Sequence, residues 1–405
     1  MDFKYKLQSY PWSLLDRIKV ASFILNSNNR LTMGEKVEEF EHCFESFCNN
    51  EIKCVATSSG STANSLMLET FLQSHEIDVK DITFFCNSTT WASNVTPLIM
   101  RGCNIEFVDI NLYDLSVDYV ELDKKLKSNQ SRYKVIWLTC LIGFSPDIML
   151  LKSLAKRHNA FLFADICEAA GTFYYNESLF NYFDMATTST YIAHLSSSIE
   201  GGMLFVNRIF SKYYDYAKLI RNHGLIRSLS KDNTIRLKSE SGNPEIDPEF
   251  LFETVGTNWR MSDLHAYMGI LDFKRFPKYI EHRKRVWSYF IDRLDPRYYK
   301  TTFTSDVTAF CLPIIVIHPH ISVRDLKYTV NNAGWETRPI ISFLPEHKPF
   351  KSYGKGEAFP KSELLARRGF YCGLANNLTI RDVDELLKVL NNVWVNPGII
   401  YNKIT

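Results

Sequence analysis

Three short stretches of the 405-residue chain carry side chains that could do chemistry together. The first is Asp-Met-Ala-Thr-Thr-Ser-Thr-Tyr-Ile-Ala-His-Leu-Ser-Ser-Ser-Ile-Glu-Gly-Gly-Met, from Asp184 to Met203. It holds His194, whose imidazole can take up and return protons near neutral pH. The second is Ser58-Ser59-Gly60-Ser61-Thr62-Ala63-Asn64, which joins a short strand at 54–57 to an apolar helical run through Leu66, Met67 and Phe71. Unpaired N–H groups and hydroxyls converge at such a junction, and the helix dipole favours negative charge, so the turn reads as half of a phosphate cup. The third is Asp165, which ends the continuously apolar run Ala160-Phe161-Leu162-Phe163-Ala164. A strand of that composition is covered on both faces. An acid at its carboxyl end lies where open α/β sheets bind ligands.

The elements that must position these groups follow from the periodicity. Gly34 opens a helix whose apolar residues Val37, Phe40, Phe44 and Phe47 recur at helical spacing. Strand-like runs lie at 82–85, 105–110, 133–139 and 203–206, with a helical pattern at 120–126. Trp91 follows a polar turn of Asn87, Ser88, Thr89 and Thr90. This alternation predicts a largely parallel, doubly wound sheet. Residues 228–248, rich in Ser, Lys, Asn, Asp and Pro, are expected to form a mobile loop. From about Phe273 a smaller α/β domain is expected, with a helix at 279–294, a strand at 313–317 and a helix at 323–333. The expected division is therefore a large domain over 1–272 and a small one over 273–405.

A net charge of +2 offers no electrostatic case for nucleic acid or an anionic membrane as a partner. The opening Met-Asp-Phe-Lys-Tyr-Lys lacks the apolar core of a signal peptide. No run reaches the roughly 18 apolar residues of a spanning helix, so a cytoplasmic protein is expected. The nine cysteines contain no Cys-x-x-Cys pair and read as free thiols. No metal site is expected.

The stretch around His194 resembles the cofactor-anchoring segment of the DegT/StrS family of pyridoxal-phosphate sugar aminotransferases, where a Ser-Phe-Tyr-x-x-Lys run leads to an acid followed by Gly-Gly. Ser189, Tyr191, Glu200, Gly201 and Gly202 match that pattern, and His194 stands at the lysine position. No lysine lies between Asp184 and Phe210 to replace it. A lysine amine would hold the cofactor covalently, which an imidazole cannot do. Within the family this exchange marks the lysine-less branch, the 3-dehydratases of GDP-4-keto-6-deoxy-D-mannose. The absence of clustered cysteines counts against a related branch that carries an iron–sulfur cluster. Other segments resemble the family along residues 7–395, including Ser-Gly-Ser-x-Ala-Asn at 59–64, Asp-x-x-Glu-x-x-Gly at 165–171, Arg-x-His-Gly at 221–224 and Gly-x-Asn-x-Arg at 256–260.

The resemblance implies a type I aminotransferase fold and a homodimer with shared active sites, binding pyridoxal 5'-phosphate or pyridoxamine 5'-phosphate. It assigns His194 as the acid/base and Ser61, Thr62, Trp91, Asp165, Glu168, Ser189 and Asn258 to the cofactor, Trp91 by stacking and Asn258 from the partner subunit. His223, Arg227, Arg260 and Arg338 are implied substrate contacts. The implied reaction removes the C3 hydroxyl of a nucleotide-linked 4-keto-6-deoxy sugar, with glutamate as amino donor. Two other readings are a sugar aminotransferase with a non-covalently held cofactor and a non-catalytic cofactor-binding homologue. The chain departs from the dehydratase pattern at Leu195, where a second histidine is usual, and after Arg338-Pro339, where Ile340-Ile341-Ser342-Phe343 replaces Gly-Asn. Both departures bear on which sugar is used.

Overall fold

The apolar run that ends at Asp165 is the middle strand of a seven-stranded sheet. In the computed structural model, which describes residues 3–7, 10–240 and 246–392, the sheet comprises β1 (Ile52–Thr57), β2 (Ile82–Asn87), β3 (Asn104–Val108), β4 (Tyr133–Thr139), β5 (Ala160–Asp165), β6 (Met185–Ser189) and β7 (Gly202–Asn207). Their order is β1-β7-β6-β5-β4-β2-β3. Neighbours from β3 through β6 are parallel, and only β7 runs against the strands beside it. Alternate residues of β5 face opposite sides, as strand geometry requires. Leu162 and Ala164 join one buried cluster with Phe40, Phe44 and Ile136, while Phe163 joins another with Leu66, Phe71 and Trp137. This two-sided burial explains why β5 reads as unbroken apolar sequence, and it delivers Asp165 to the carboxyl edge of the sheet.

The helix that begins the sheet's cover, Glu35–Phe47, starts at Gly34, which has no side chain to cap it. Asp263 supplies the cap from a distant helix, its carboxylate accepting the amides of Gly34, Lys36 and Val37 at 2.6, 2.9 and 3.2 Å. The helix Gly60–Ser74 is closed locally by a capping box between Ser59 and Thr62. Its first turn lies against the start of β7. A Cβ at Gly202 would come 2.3 Å from the Ser59 carbonyl oxygen, so only glycine permits this approach.

A second sheet is antiparallel, with β8 (Cys311–Ile315), β9 (Thr337–Pro339) and β10 (Gly369–Gly373) in the order β8-β10-β9. The helices Phe276–Ile291, Val323–Asn332 and Ile380–Asn391 pack with it around Val286, Phe290, Ile314, Phe370 and Leu386. The same cluster takes in Ile110, Leu141 and Phe144 from the main sheet's loops. The two sheets are thus joined by shared apolar packing rather than by a bare linker.

One expectation is corrected. Within the stretch read as a mobile loop, Lys231–Glu240 is a helix, and Leu237 packs with Leu219 and Ile226 in a small buried cluster. Tertiary packing outweighs the polar composition there; residues 241–245 of the same stretch lie outside the described residues. Among the described residues, no helix is long and apolar enough to cross a membrane. All nine cysteines are free.

Candidate functional site

Asp165 is 4 % exposed at the end of β5. Its Oδ2 accepts the Asn64 side-chain amide at 2.8 Å, and its Oδ1 accepts the Cys167 amide at 2.9 Å. The carbonyl oxygen of the same Asn64 accepts the Thr187 hydroxyl at 2.5 Å. Three side chains, from a helix start, the end of β5 and the middle of β6, are therefore locked together in the interior. The network gives Asp165 neutral donors and no cation among the described residues, which leaves a buried carboxylate short of a positive partner.

Next to it lies the loop between β6 and β7. The Thr190 amide donates to the Gly201 carbonyl at 2.9 Å, that of Ser198 to Thr190 at 2.8 Å and that of His194 to Tyr191 at 2.9 Å. The Ser197 amide reaches the buried carboxylate of Asp272 at 2.8 Å, which anchors the loop from outside. Ile199 closes the loop with φ of 73°, an unfavourable value for a β-branched side chain. His194 keeps an exposed edge, yet its Nδ1 is buried without a hydrogen-bond partner. Burial pushes the imidazole down to about 4, against the Cys167 backbone, which favours the charged form; Arg283 reinforces the depression. The ring is neutral at physiological pH.

Leu195, the first departure from the dehydratase pattern, points elsewhere. It is buried in the core, and a Cβ on Gly171 would meet its Cδ2 at 2.6 Å. In this chain the position fills space.

Glu168 stands behind Asp165. Its carboxyl is raised to about 7, chiefly by burial, with the Ile142 amide opposing at 2.7 Å and Asp165 adding to the rise. Ile142 carries a positive φ of 59°. Strained non-glycine backbone of this kind collects at functional sites.

The remaining expected residues are spread around this centre. Ser61 is exposed on the first turn of the helix Gly60–Ser74, and Ser189 ends β6 with its hydroxyl accepting the Tyr191 amide at 3.2 Å. Thr62 turns its hydroxyl into the capping box, where it accepts the Ser59 amide at 2.9 Å. Trp91 is 62 % exposed at the start of the helix Ala92–Met100, leaving its indole face open. The Thr90 amide donates to the Ser342 carbonyl at 3.1 Å, so the second departing segment rests against the turn that carries Trp91. Arg338 is exposed on β9, paired with Glu336 at 3.2 Å, and its backbone pairs with Tyr371.

His223, Asn258 and Arg260 form a second group. The His223 amide donates to Thr257 at 2.8 Å, and Arg260 donates to the Asn258 and Asn222 side-chain oxygens at 2.9 and 3.0 Å. Arg227 is exposed, 3.8 Å from Glu249. A cavity of about 480 Å³ is lined by charges of both signs, Arg30, Lys218, Arg221, Arg227 and Arg260 with Glu38, Glu41 and Glu45. Sequence reasoning did not single out Asn64, Arg283 or Phe310. Asn64 stood inside a quoted motif, but no local signal marked the other two.

These features fit pyridoxal phosphate. A buried carboxylate lacking a cation suits a protonated pyridine nitrogen, an unpartnered imidazole nitrogen faces the interior, and a glycine-tight helix start offers free amides. The sequence matches the model of the DegT/DnrJ/EryC1/StrS aminotransferase family over residues 16–391. A GDP-4-keto-6-deoxy-D-mannose 3-dehydratase of Yersinia pseudotuberculosis is 28% identical over 401 residues, covering 96% of this chain and 98% of that protein. A crystal structure of a GDP-4-keto-6-deoxymannose-3-dehydratase mutant with bound GDP-perosamine superposes with a TM-score of 0.85 at 26% identity, over 96% of this chain and 100% of that one. Another, of a GDP-4-keto-6-deoxymannose-3-dehydratase with a trapped PLP–glutamate geminal diamine, gives 0.83 at 25% identity and the same coverage.

Asn64 provides a test of this geometry. Asn64→Ala strands both Asp165 and the Thr187 hydroxyl, and should lower stability in urea by about 1–3 kcal/mol. It should also weaken pyridoxal phosphate binding roughly tenfold, measured by absorbance titration. Unchanged cofactor affinity in a folded variant would show that Asp165 needs no such support.

Proposed function

The chain belongs to the DegT/DnrJ/EryC1/StrS aminotransferase family, and we propose that it is a pyridoxal-phosphate-dependent 3-dehydratase acting on a nucleotide-linked 4-keto-6-deoxyhexose. The observation that carries this reading is an imidazole at His194, its Nδ1 buried without a partner, where a covalent anchor would need a lysine. When bound in its amine form, the cofactor supplies an amine for the sugar's C4 ketone and a ring that accepts electrons.

The protein's own groups do the rest. Asp165 would hold the ring nitrogen in its protonated form, and Trp91 would cover a ring face. Glu168, raised to about 7 and held by the Ile142 amide, would lie against the ring. Ser61, Ser189 and the N-terminal amides of the helix Gly60–Ser74 would take the phosphate, with Thr62 shaping that turn through the capping box.

His194 would take a proton from the carbon beside the cofactor amine and return one to the departing C3 hydroxyl, which would leave as water. A neutral imidazole is the form that can accept the first proton. Because it cannot bond covalently to the cofactor, the usual route to a 4-amino sugar is disfavoured. Glutamate serves as the amino donor.

His223, Arg227, Arg260 and Arg338 bind the substrate, with the Arg227 and Arg260 guanidiniums suited to a nucleotide diphosphate. Two subunits form a homodimer in which Asn258 serves the neighbour's cofactor. The large and small domains divide near residue 272, with the sites on the main sheet's carboxyl edge.

Two measurements check this reading. Incubation with GDP-4-keto-6-deoxymannose, pyridoxal phosphate and glutamate should yield a sugar nucleotide one oxygen lighter, together with ammonia, by mass analysis. A 4-amino sugar as the main product would make the protein an aminotransferase. His194→Lys should lose about 100-fold or more of the 3-deoxy product.

For the shared site, inactive His194→Asn and Asn258→Ala subunits are mixed under conditions shown to exchange subunits. Hybrid dimers should regain activity, and none regained would mean that each subunit is self-sufficient.

A further inference from the structure

His194 has an aromatic neighbour that belongs to neither its loop nor the main sheet. The Phe310 ring lies 5.5 Å from the imidazole, centroid to centroid, at an interplanar angle of 39°. Phe310 precedes β8 in a segment stitched to the main sheet's loops. The Thr308 hydroxyl donates to the Gly171 carbonyl at 2.7 Å, and the Phe310 amide to the Ile142 carbonyl at 2.9 Å. A Cβ at Gly143, where φ is +90°, would lie 2.1 Å from the Thr308 carbonyl oxygen.

The other side of the segment is held by a buried cation. Arg283, on the helix Phe276–Ile291, is only 5 % exposed. Its Nη1 donates to the Ala309 and Phe310 carbonyls at 3.0 and 2.6 Å, and its Nε donates to the Asn376 side chain at 3.2 Å. No carboxylate pairs with it among the described residues. Burial accordingly pulls the guanidinium down to about 10. Burying a charge among neutral acceptors is a costly way to fasten a loop, because the desolvation is not repaid by an opposite charge. Apolar packing would fasten it more cheaply, so the cation has another use.

We propose that Arg283 is a positioning residue for His194: it grips the Ala309 and Phe310 carbonyls so that the Phe310 ring closes over the imidazole, and it places an uncompensated positive charge on the same side. The ring fixes the imidazole plane and sheds water from it. The charge disfavours a resting proton on the imidazole, which leaves it free to accept one. The proposal rests on the reading of His194 as the acid/base.

The charged and titratable groups facing His194 come from three elements. They are Arg283 from the helix Phe276–Ile291, Cys167 through its backbone from the turn after β5, and Tyr191 from its own loop at 6.5 Å. Arg283 is the only cation among them.

The test is histidine NMR on the full chain labelled at the imidazole Cε1, with and without pyridoxal phosphate, the His194 signal being assigned by its loss in His194→Asn. In the wild type this signal should be displaced by the Phe310 ring current and should titrate near 4. Arg283→Met should raise the midpoint and reduce the ring-current displacement. Arg283→Lys, which keeps the charge but not the fork of donors, should retain more of the depressed midpoint than of the displacement. A purely structural role for Arg283 would lower stability and leave both signatures in place.

A folded Arg283→Met protein with wild-type midpoint and shift overturns the proposal. Should that variant fail to fold, Phe310→Leu carries the test with Arg283 intact: loss of the displacement and a raised midpoint support it, and no change in either overturns it. Because the readout is not turnover, an NMR result as expected with undiminished dehydration in His194→Asn would refute the base assignment alone.

Discussion

A desolvated imidazole is the constraint on which the site depends. Burial opposes the charged form of His194 strongly enough to keep it neutral through the physiological range. Between about 4 and its ordinary value near 6.5, the unfolded chain binds a proton that the folded protein does not, so His194 detracts from stability as pH falls through that window. A fold bears such a group when its neutral form is useful, and a proton acceptor that cannot bond covalently to a carbonyl cofactor suits dehydration better than amination.

The rest of the architecture serves to hold that ring beside Asp165. The parallel strands bring Asp165 and Ser189 to one edge, the glycine contact between β7 and Ser59 brings the helix start to the same place, and Asn64 ties Asp165 to Thr187. From the opposite side, the smaller sheet reaches the site through the 308–310 segment and through the contact of Ser342 with Thr90. The site therefore lies where the packing of two sheets meets, which explains why their core residues are shared.

Much of this was legible in the sequence where the signal is local. The apolar run before Asp165 and the small-residue turn at 58–64 announce a strand end and a helix start, and the segment from Ser189 through His194 to Gly202 carries the family resemblance. What was not legible is non-local. The helix Lys231–Glu240 hides in polar composition because a few apolar contacts decide it. Asn64 gains its role only when Asp165, 101 residues later, folds beside it. Leu195 reads as a change in the reactive site until its packing against Gly171 shows it to be a core residue. Arg283 and Phe310 belong to a helix and a segment whose sequences carry no mark of His194.

The most direct measurement of the central claim follows the proton itself. Pyridoxamine phosphate carrying tritium on the methylene carbon beside its amine would be bound with the keto sugar, and release of label into water counted. If His194 is the base, the wild type releases label and His194→Asn releases it roughly 100-fold more slowly or worse. Release at the wild-type rate from a folded His194→Asn protein would contradict the account.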